Sequence, residues 1–333
     1  MKFIISLSLV IFVCSFISCN KNDNVSPPEE ETFTWQSTSL SNGAVKALAV
    51  NNNGIVFASI ENDGIYKTSD NGDNWSKVKN GSFQSNIGNG YAECFCMDGN
   101  TLWVGTDGAG IHRSTDEGLT WTELNDGEPV GQVYTIQMRY EGSGGGTLYC
   151  GSDSGLFKLD EQNRWTRLLS DKITAIIMVG EGSSVQGIYA GGPYPGLSYE
   201  TPSIIFWSAN NGLTWYRTAL PGIVKAFAKN SNGEVFAVTW PGGIFKTYGN
   251  RWYSWEPLNS DLEYYICETI AIPSSNHIYV GTSSGGVLRS TNDGESWTTI
   301  ADGLNNRNVY ELAINPSGYI FAGTEAGVFR GNL

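Results

Sequence analysis

The stretch Thr68-Ser69-Asp70-Asn71-Gly72-Asp73-Asn74-Trp75 decides the fold, because three further stretches of the chain repeat its pattern. The shared octet consists of Ser or Thr, any residue, Asp or Asn, any residue, Gly, two further residues and Trp. The other copies are 114–121, 208–215 and 290–297. Four copies of one specific pattern indicate a repeat protein.

The octets are expected to form structural turns. The short Asp or Asn side chain can accept hydrogen bonds from N–H groups just downstream. The Gly supplies a positive φ, and the Trp begins the next strand and buries a large apolar surface. Catalysis or metal binding by Asp70 and Asp116 is the alternative, but repetition around a fold favours a structural role. The predicted turn residues are Asp70, Gly72, Trp75, Asp116, Gly118, Trp121, Asn210, Gly212, Trp215, Asn292, Gly294 and Trp297.

These octets resemble the Asp-box, or BNR, repeat. The resemblance covers most of the chain after residue 32. It implies a β-propeller with the octet on the turn between the third and fourth strands of a blade, away from the ligand face. The family includes sialidases, xyloglucan-cleaving glycoside hydrolases, sortilin-type receptors and a photosystem assembly factor.

The tryptophans predict seven blades. Degenerate copies at Trp165 and Trp255, together with a strand at Phe33-Thr34-Trp35, extend the series to seven positions spaced by 40, 46, 44, 50, 40 and 42 residues. Such spacing is typical of propeller blades. The last repeat stops after Arg330 without a fourth strand of its own, so the Trp35 strand is expected to complete it and close the ring.

Each repeat alternates polar and apolar residues between short turns, as in the strands Val45–Val50, Ile55–Ala58 and Gly64–Lys67 of the first repeat. The 41 glycines, 12% aromatic residues and 16% charged residues suit a turn-rich protein. The predicted fold is all-β: residues 32–333 form a seven-bladed β-propeller of four-stranded antiparallel blades, the last closed by the N-terminal strand.

Residues 1–18 are predicted to be a lipoprotein signal peptide. Lys2 precedes an apolar run that is short for a membrane span. The run ends in Phe16-Ile17-Ser18-Cys19, which resembles a bacterial lipoprotein signal of the looser Bacteroidota type, with Phe16 where Leu is usual. This resemblance implies lipidation of Cys19, and an ordinary signal peptide with an incidental Cys is the alternative.

Residues 19–31 are polar and contain Pro27-Pro28 and Glu29-Glu30-Glu31, which predicts a flexible tether. We therefore expect a monomer that is lipid-anchored to the outer membrane of a bacterial envelope, on its periplasmic or its outer side. The net charge of −13 disfavours nucleic acid as a partner, because phosphates would be repelled.

The cysteines and histidines predict neither a metal site nor a cofactor. The chain has only two histidines and no CxxC pair. Cys94, Cys96, Cys150 and Cys267 remain after the signal peptide, and Cys94 and Cys96 are expected to be buried free thiols on an inner strand. A disulfide from the Cys94 and Cys96 strand to Cys150 is the alternative.

A ligand is expected at the mouth of the central channel, where the inner strands start. The second residues of these strands are polar or aromatic whereas their neighbours are mostly small or apolar, and converging polar groups in a concavity favour a binding site. Solvated strand ends around a water-filled channel are the alternative. The aligned residues are Lys46, Glu93, Tyr134, Thr174, Lys225, Glu268 and Tyr310.

The loops beside the mouth add aromatic candidates. Residues 192–202 form the longest insertion among the repeats, and such insertions often lie on the binding face. Aromatic side chains there can stack on sugar rings, or can simply pack within the loops. The candidates are Tyr194, Tyr199, Trp240, Tyr264 and Tyr265.

Three functions are consistent with this sequence. The favoured one is a non-catalytic binding module for a glycan or an envelope protein. A glycoside hydrolase related to the xyloglucan-cleaving enzymes is the second; it needs two carboxylates flanking one bond, for which the acids are Glu93, Asp107, Glu268, Glu311 and Glu325. The third is a structural scaffold in an envelope complex. Sialidase activity is disfavoured, because the Arg-Ile-Pro motif of that family is absent from the chain.

Overall fold

The computed structural model describes residues 33–78, 91–126, 131–140, 146–180, 187–193, 202–248, 251–258, 262, 265–273 and 276–333. Residues Phe33–Leu333 form one compact unit. Within the described part, 28 β-strands form seven four-stranded antiparallel sheets, so the chain is an all-β, seven-bladed propeller as predicted. The expected signal peptide, Cys19 and the tether lie outside the described residues.

Blades 1 to 6 each consist of four consecutive strands, numbered from the inner strand outwards. Blade 1 has β2 (Val45–Val50), β3 (Val56–Ile60), β4 (Gly64–Thr68) and β5 (Ser76–Lys77). Blade 2 has β6 (Cys94–Asp98), β7 (Thr101–Gly105), β8 (Ile111–Ser114) and β9 (Thr122–Glu123). Blade 3 has β10 (Val133–Tyr140), β11 (Gly146–Ser152), β12 (Gly155–Leu159) and β13 (Trp165–Leu169).

The second half of the ring repeats this arrangement. Blade 4 has β14 (Ala175–Val179), β15 (Gly187–Pro193), β16 (Ser203–Ser208) and β17 (Tyr216–Leu220). Blade 5 has β18 (Ile223–Lys229), β19 (Val235–Trp240), β20 (Gly243–Tyr248) and β21 (Arg251–Pro257). Blade 6 has β22 (Cys267–Ala271), β23 (Ile278–Thr282), β24 (Gly286–Ser290) and β25 (Thr298–Ile300).

Blade 7 joins the two ends of the propeller. It contains β26 (Val309–Ile314), β27 (Tyr319–Thr324), β28 (Gly327–Asn332) and, as its outer strand, β1 (Gln36–Ser37). The predicted closure by an N-terminal strand is confirmed, but the strand begins one residue after Trp35. Trp35 itself is 2% exposed and its indole N–H donates to Ile300 O at 2.7 Å, so it anchors this segment between blades 6 and 7.

The hydrophobic core lies between the blades. The buried side chains fall into seven clusters, and each cluster draws on two neighbouring blades. Each inner strand contacts the inner strands on both sides, and β2 contacts β26, so the ring is continuous. Among the described residues, no helix has the length and apolar character needed to cross a bilayer.

A small residue near the end of the second strand receives a side chain from the next blade. A Cβ placed on Gly323 would lie 2.6 Å from Val45 Cγ1, and one on Gly281 would lie 2.7 Å from Val309 Cγ1. Gly105, Gly151 and Gly191 receive Val133, Ile173 and Val224 in the same way. The glycines therefore set how closely neighbouring blades pack.

Candidate functional site

The inner strands present their second residues through a repeated backbone irregularity. The pairing of inner and second strands shifts register at Lys46, Tyr134, Lys225, Glu268 and Tyr310. Such β-bulges re-aim a side chain. The aligned residues Glu93 and Thr174 directly precede β6 and β14, where their N–H groups each donate at 2.8 Å to the second strand. We call these seven residues the inner ring.

A second set of residues surrounds the inner ring. In five blades it is the residue that follows the second-strand partner of the residue just before the inner-ring member, at the turn between the second and third strands. Asp107 and Pro193 are the aligned residues of blades 2 and 4. We call this set the outer ring: Glu61, Asp107, Asp153, Pro193, Trp240, Ser283 and Glu325. The turn acids Glu61 and Asp153 were not among the sequence candidates, although their recurrence after the second strand could have revealed them.

Ion pairs link the rings within and between blades. Lys225 Nζ lies 2.8 Å from Glu268 Oε2, and Ser283 Oγ donates to Glu268 Oε1 at 2.6 Å. Lys46 Nζ lies 3.3 Å from Glu61 Oε2. The predicted inner-ring residues Lys225 and Glu268 thus contact each other across blades 5 and 6.

Tyr134 belongs to a polar triad on blade 3. Its hydroxyl donates to Asp153 Oδ1 at 3.0 Å and accepts a hydrogen bond of 2.6 Å from Lys172 Nζ. Lys172 also pairs with Asp153 at 3.0 Å and lies 4.4 Å from the centre of the Tyr134 ring. Sequence reasoning missed Lys172, which lies in the connection to blade 4, just before its inner strand β14.

Tyr91 and Tyr310, near the mouth, have raised pKa values to which neighbouring carboxylates contribute. Burial, with a smaller contribution from the charges of Glu93, Glu61 and Asp107, raises the pKa of Tyr91 to about 12. Burial also raises the pKa of Tyr310, assisted by Glu325 and opposed by Lys46. The two rings carry six carboxylates and two lysines among the described residues, so the mouth favours positively charged groups.

Glu311 lies one residue below the inner ring on blade 7. Thr269 Oγ1 donates to its Oε1 at 3.0 Å, and the Leu312 N–H donates to the same oxygen at 3.3 Å. Burial raises the pKa of Glu311 to about 7, against the opposing effect of these two hydrogen bonds. Its carboxyl group therefore titrates near neutral pH.

Among the predicted aromatic candidates, the structure describes Trp240 and Tyr265. Trp240 is half-buried at the end of β19 and occupies the outer-ring position of blade 5. Tyr265 is also half-buried, and its ring lies close to Gly285. Tyr194, Tyr199 and Tyr264 lie outside the described residues.

The octets lie at the opposite end of the blades. Each follows the third strand, which begins at the mouth end and runs away from it. In the first octet, Asp70 Oδ1 accepts hydrogen bonds from Thr68 Oγ1 at 2.7 Å and Asn74 N at 2.9 Å, and Gly72 has φ 93°. The other three octets have the same turn hydrogen bonds.

Hydrogen bonds also hold the octet aspartates charged. The backbone N–H and side chain of Asn74, with Thr68, lower the pKa of Asp70 to about 2. The side chain and backbone N–H of Thr120, with Ser114, do the same for Asp116. These carboxylates serve as acceptors in their own turns.

The octets also contact the preceding blade. A Cβ on Gly118 would lie 2.4 Å from Val78 Cγ1, and Lys67 Nζ pairs with Glu117 Oε2 at 2.7 Å. At the ring closure, Arg330 donates to Asn71 O and pairs with Asp73 Oδ1, both at 2.7 Å. The octets therefore help to join neighbouring blades.

The described cysteines are free thiols. Cys94, Cys96 and Cys150 pack in one cluster between blades 2 and 3, and burial raises the pKa of Cys96 to about 12. Within the described part of the chain, no group of three or more His, Cys, Asp or Glu residues has the geometry to hold a metal ion.

The fold and site thus define a seven-bladed β-propeller with a polar, acidic channel mouth. Residues 29–176 match the family model of the DUF6242 β-propeller domain. No curated protein sequence matches the chain.

Solved propellers resemble the chain at low sequence identity. YCF48 from Cyanidioschyzon merolae is 15% identical, with a TM-score of 0.64 over 90% of this chain and 99% of YCF48. YCF48 bound to D1 peptide is 13% identical, with a TM-score of 0.68 over 92% of this chain and 96% of that one. These likenesses show the fold.

Two larger bacterial proteins contain a similar propeller. PorZ, a surface component of the type-IX secretion system of Porphyromonas gingivalis, is 15% identical, with a TM-score of 0.64 over 89% of this chain and 48% of PorZ. The GH74 enzyme of Niastella koreensis is 16% identical, with a TM-score of 0.67 over 90% of this chain and 53% of the enzyme. The chain spans about half the length of each.

Proposed function

We propose that this chain is a non-catalytic binding protein of the bacterial cell envelope, and that its channel mouth recognises a protein partner. The observation that carries the proposal is the pair of rings, in which a repeated backbone position presents different polar side chains from blade to blade. YCF48 bound to D1 peptide and the secretion component PorZ offer precedents for peptide binding and for an envelope role on this fold. The proposed contacts are Lys46, Glu93, Tyr134, Lys225, Glu268, Tyr310, Tyr194, Tyr199 and Trp240.

A pull-down from envelope extracts tests this proposal. The bait is the compact unit 33–333, and the test variant reverses two mouth charges, Glu93→Lys and Glu325→Lys. A control variant reverses two exposed charges at the octet end of the blades, Glu161→Lys and Glu295→Lys. Partners retained by the wild type and the control but lost by the mouth variant support the proposal, whereas partners retained equally by all three contradict it.

A glycan ligand is the second candidate, favoured by the placement of Trp240 on the outer ring. Aromatic side chains at a concave mouth can stack on sugar rings. A glycan array with the wild type, Trp240→Ala and Tyr194→Ala tests it. Binding that both substitutions weaken supports a glycan module, and the same sugars then become substrates for a cleavage assay. No binding to any glycan would leave the protein partner or a scaffold role.

Hydrolysis is the alternative that the candidate acids leave open. Glycoside cleavage requires two carboxylates about 5–10 Å apart around one bond. Glu268 is engaged by Lys225 and Ser283, Glu325 accepts a hydrogen bond from Asn308, and Glu311 accepts one from Thr269. The engaged Glu268 and Glu325 suit recognition better than proton transfer to a leaving group, whereas the raised pKa of Glu311 is a feature that a general acid would need.

The envelope address rests on the N-terminal sequence. We propose that residues 1–18 are removed, that Cys19 is lipidated and that residues 19–31 tether the propeller. Mass spectrometry of the N-terminal peptide from cells tests this, with Cys19→Ser as the control. Diacylglyceryl modification of the wild type alone supports the anchor, and an unmodified Cys19 in a chain retained by the membrane would contradict it.

A further inference from the structure

The exposed large hydrophobic side chains share one end of the propeller. This octet end is where the first and third strands finish and the fourth strands begin. Within the described part of the chain, all six such side chains lie there, and none lies at the mouth. They are Leu119, Tyr140, Leu213, Tyr216, Tyr253 and Leu333.

Three of the six occupy one position of the repeat, two residues before the tryptophan of the blade. They are Leu119, Leu213 and Tyr253, and the two leucines are 59% and 83% exposed. Blades 1 and 6 carry Asp73 and Glu295 at the same position, so the turn does not require an apolar side chain. The leucines therefore serve a purpose other than the fold of their octets.

The chain also enters the propeller at the octet end. Gln36 pairs with Arg330 on the third strand of blade 7, just as Ser76, which follows an octet, pairs with Lys67 in blade 1. The residues directly before β1 thus lie where the other blades have their octets. Any segment that precedes residue 33 joins the propeller at this end.

The predicted tether, residues 19–31, is short compared with the propeller. A flexible chain of this length spans about 20 Å on average. A strand of six residues, such as β2, is itself about 20 Å long. An anchor at Cys19 therefore holds the octet end closer to the membrane than the mouth.

The charges favour the same orientation. At the octet end, cations pair with acids of the next blade, as Lys67 does with Glu117 and Arg330 with Asp73. The two rings at the mouth carry six carboxylates and two lysines among the described residues. A bilayer that contains anionic lipids therefore repels the mouth more strongly than the octet end.

We propose that the octet end is a membrane-binding surface, on which Leu119, Leu213 and Tyr253 enter the boundary between the head groups and acyl chains of a phospholipid bilayer. Aliphatic side chains bury apolar area there, and tyrosine suits the head-group level. The mouth then points away from the bilayer, towards its partner. This inference rests on the proposed lipid anchor, because a few side chains bind weakly unless a tether raises their effective concentration at the surface.

Photo-crosslinking to lipid tests this orientation. Residues 20–333 carry an N-terminal histidine tag and are held by a chelating lipid on vesicles of phosphatidylethanolamine and phosphatidylglycerol. The vesicles also contain a phospholipid with a diazirine in its acyl chain, and mass spectrometry identifies the peptides that acquire lipid. We expect lipid on the peptides that contain Leu119, Leu213 and Tyr253, and at least tenfold less on the peptide that contains Glu325 of the mouth.

The double variant Leu119→Gln/Leu213→Gln separates insertion from mere proximity. It should lower cross-linking about tenfold or more, because burial of one leucine side chain is worth about that factor. The loss should include the unchanged Tyr253 peptide, since all three side chains enter the bilayer together. The control Leu119→Met/Leu213→Met keeps both side chains apolar and should cross-link like the wild type.

Equal cross-linking at both ends, or octet-end cross-linking that the glutamine variant retains, would overturn the inference. Dimers joined through their octet ends on the vesicles would also overturn it, by assigning this surface to a second copy of the chain. The tag replaces the natural anchor, so an unmodified Cys19 in cells contradicts the anchor alone. Lipidated Cys19 without cross-links at the octet end contradicts the inference alone.

Discussion

The contact between Gly323 and Val45 allows a sharp test of how the blades pack. Gly323 lies on β27 with an ordinary strand conformation, so alanine would be compatible with its backbone. The added Cβ would lie 2.6 Å from Val45 Cγ1 and 3.0 Å from Val45 Cβ. Carbon atoms pack best at about 3.5–4.0 Å. Gly323→Ala therefore forces blades 7 and 1 apart or displaces the valine.

The expected free-energy changes follow from general values. Overpacking of this kind costs about 1–3 kcal/mol, offset by about 0.4–1 kcal/mol from the lower entropy of the unfolded alanine chain. Val45→Ala removes two fully buried methyl-sized groups, which costs about 1.6 kcal/mol plus a cavity contribution. In the double variant the new methyl group occupies the space left by the valine. We expect the double variant to be about 1–2 kcal/mol more stable than the sum of the two single changes predicts.

Urea denaturation of residues 33–333 measures this coupling, provided that unfolding is two-state. Val133→Ala is the matched control, because Val133 packs on Gly105 at a different contact between blades. It should lower stability as Val45→Ala does but should not rescue Gly323→Ala. Additive effects within about 0.5 kcal/mol for the Gly323 and Val45 pair would refute the reasoning.

Three further predictions concern the octets, the ring closure and the channel. Asn292→Ala removes the Oδ1 that accepts hydrogen bonds from Ser290 Oγ and Ser296 N, and it should lower the free energy of unfolding by about 1–2 kcal/mol in urea denaturation. Asn292→Asp keeps an oxygen acceptor at this position and should change the free energy little. Equal losses for the two variants would contradict the turn role. Arg330→Met breaks the contacts with Asn71 and Asp73 and should lower the free energy of unfolding by about 1–3 kcal/mol. The control Arg113→Met loses a contact with the Trp103 ring that is worth about 0.5–1 kcal/mol, so it should be less destabilised. Calorimetry compares the two variants. The raised pKa of Glu311 means that the folded state binds this proton more tightly than the unfolded state, so the free energy of unfolding of the wild type should fall as pH rises from about 4.5 to about 7. The free energy of unfolding of Glu311→Gln should therefore exceed that of the wild type by about 2–3 kcal/mol at pH 8 but not at pH 4. Parallel pH profiles of the two proteins in urea denaturation would contradict this.

The repeat made the fold predictable from sequence. Four octets and the seven tryptophan positions located the blades, because each blade must turn at the same point and bury a similar aromatic side chain. The N-terminal strand is Gln36–Ser37 rather than Phe33-Thr34-Trp35, since Trp35 is a buried anchor and only the next two residues pair with β28. The position of a strand start depends on such packing, which a single sequence does not show.

The mouth could be predicted only in part. The alignment of inner strands located Lys46, Lys225, Glu268 and Tyr310, because the bulge recurs at one position of the repeat. The partners of these residues come from other blades and from turns, so their pairing depends on the closed ring. The hydrogen bond from Thr269 to Glu311 likewise joins two blades, so a single sequence does not reveal it.

The two ends of the propeller differ in how they use the repeat, and this difference explains why the fold is easier to infer than the ligand. At the octet end, equivalent residues make equivalent contacts: Lys67 reaches Glu117 in the next blade, as Arg330 reaches Asn71. Every junction between blades poses the same packing problem, so similar solutions recur in the sequence. At the mouth, the backbone position recurs but the side chain varies between lysine, glutamate, tyrosine and threonine, so that seven side chains of four kinds converge on one opening. Such a surface can match an irregular partner. Its specificity comes from the side chains that differ between blades, and the repeat pattern does not predict these.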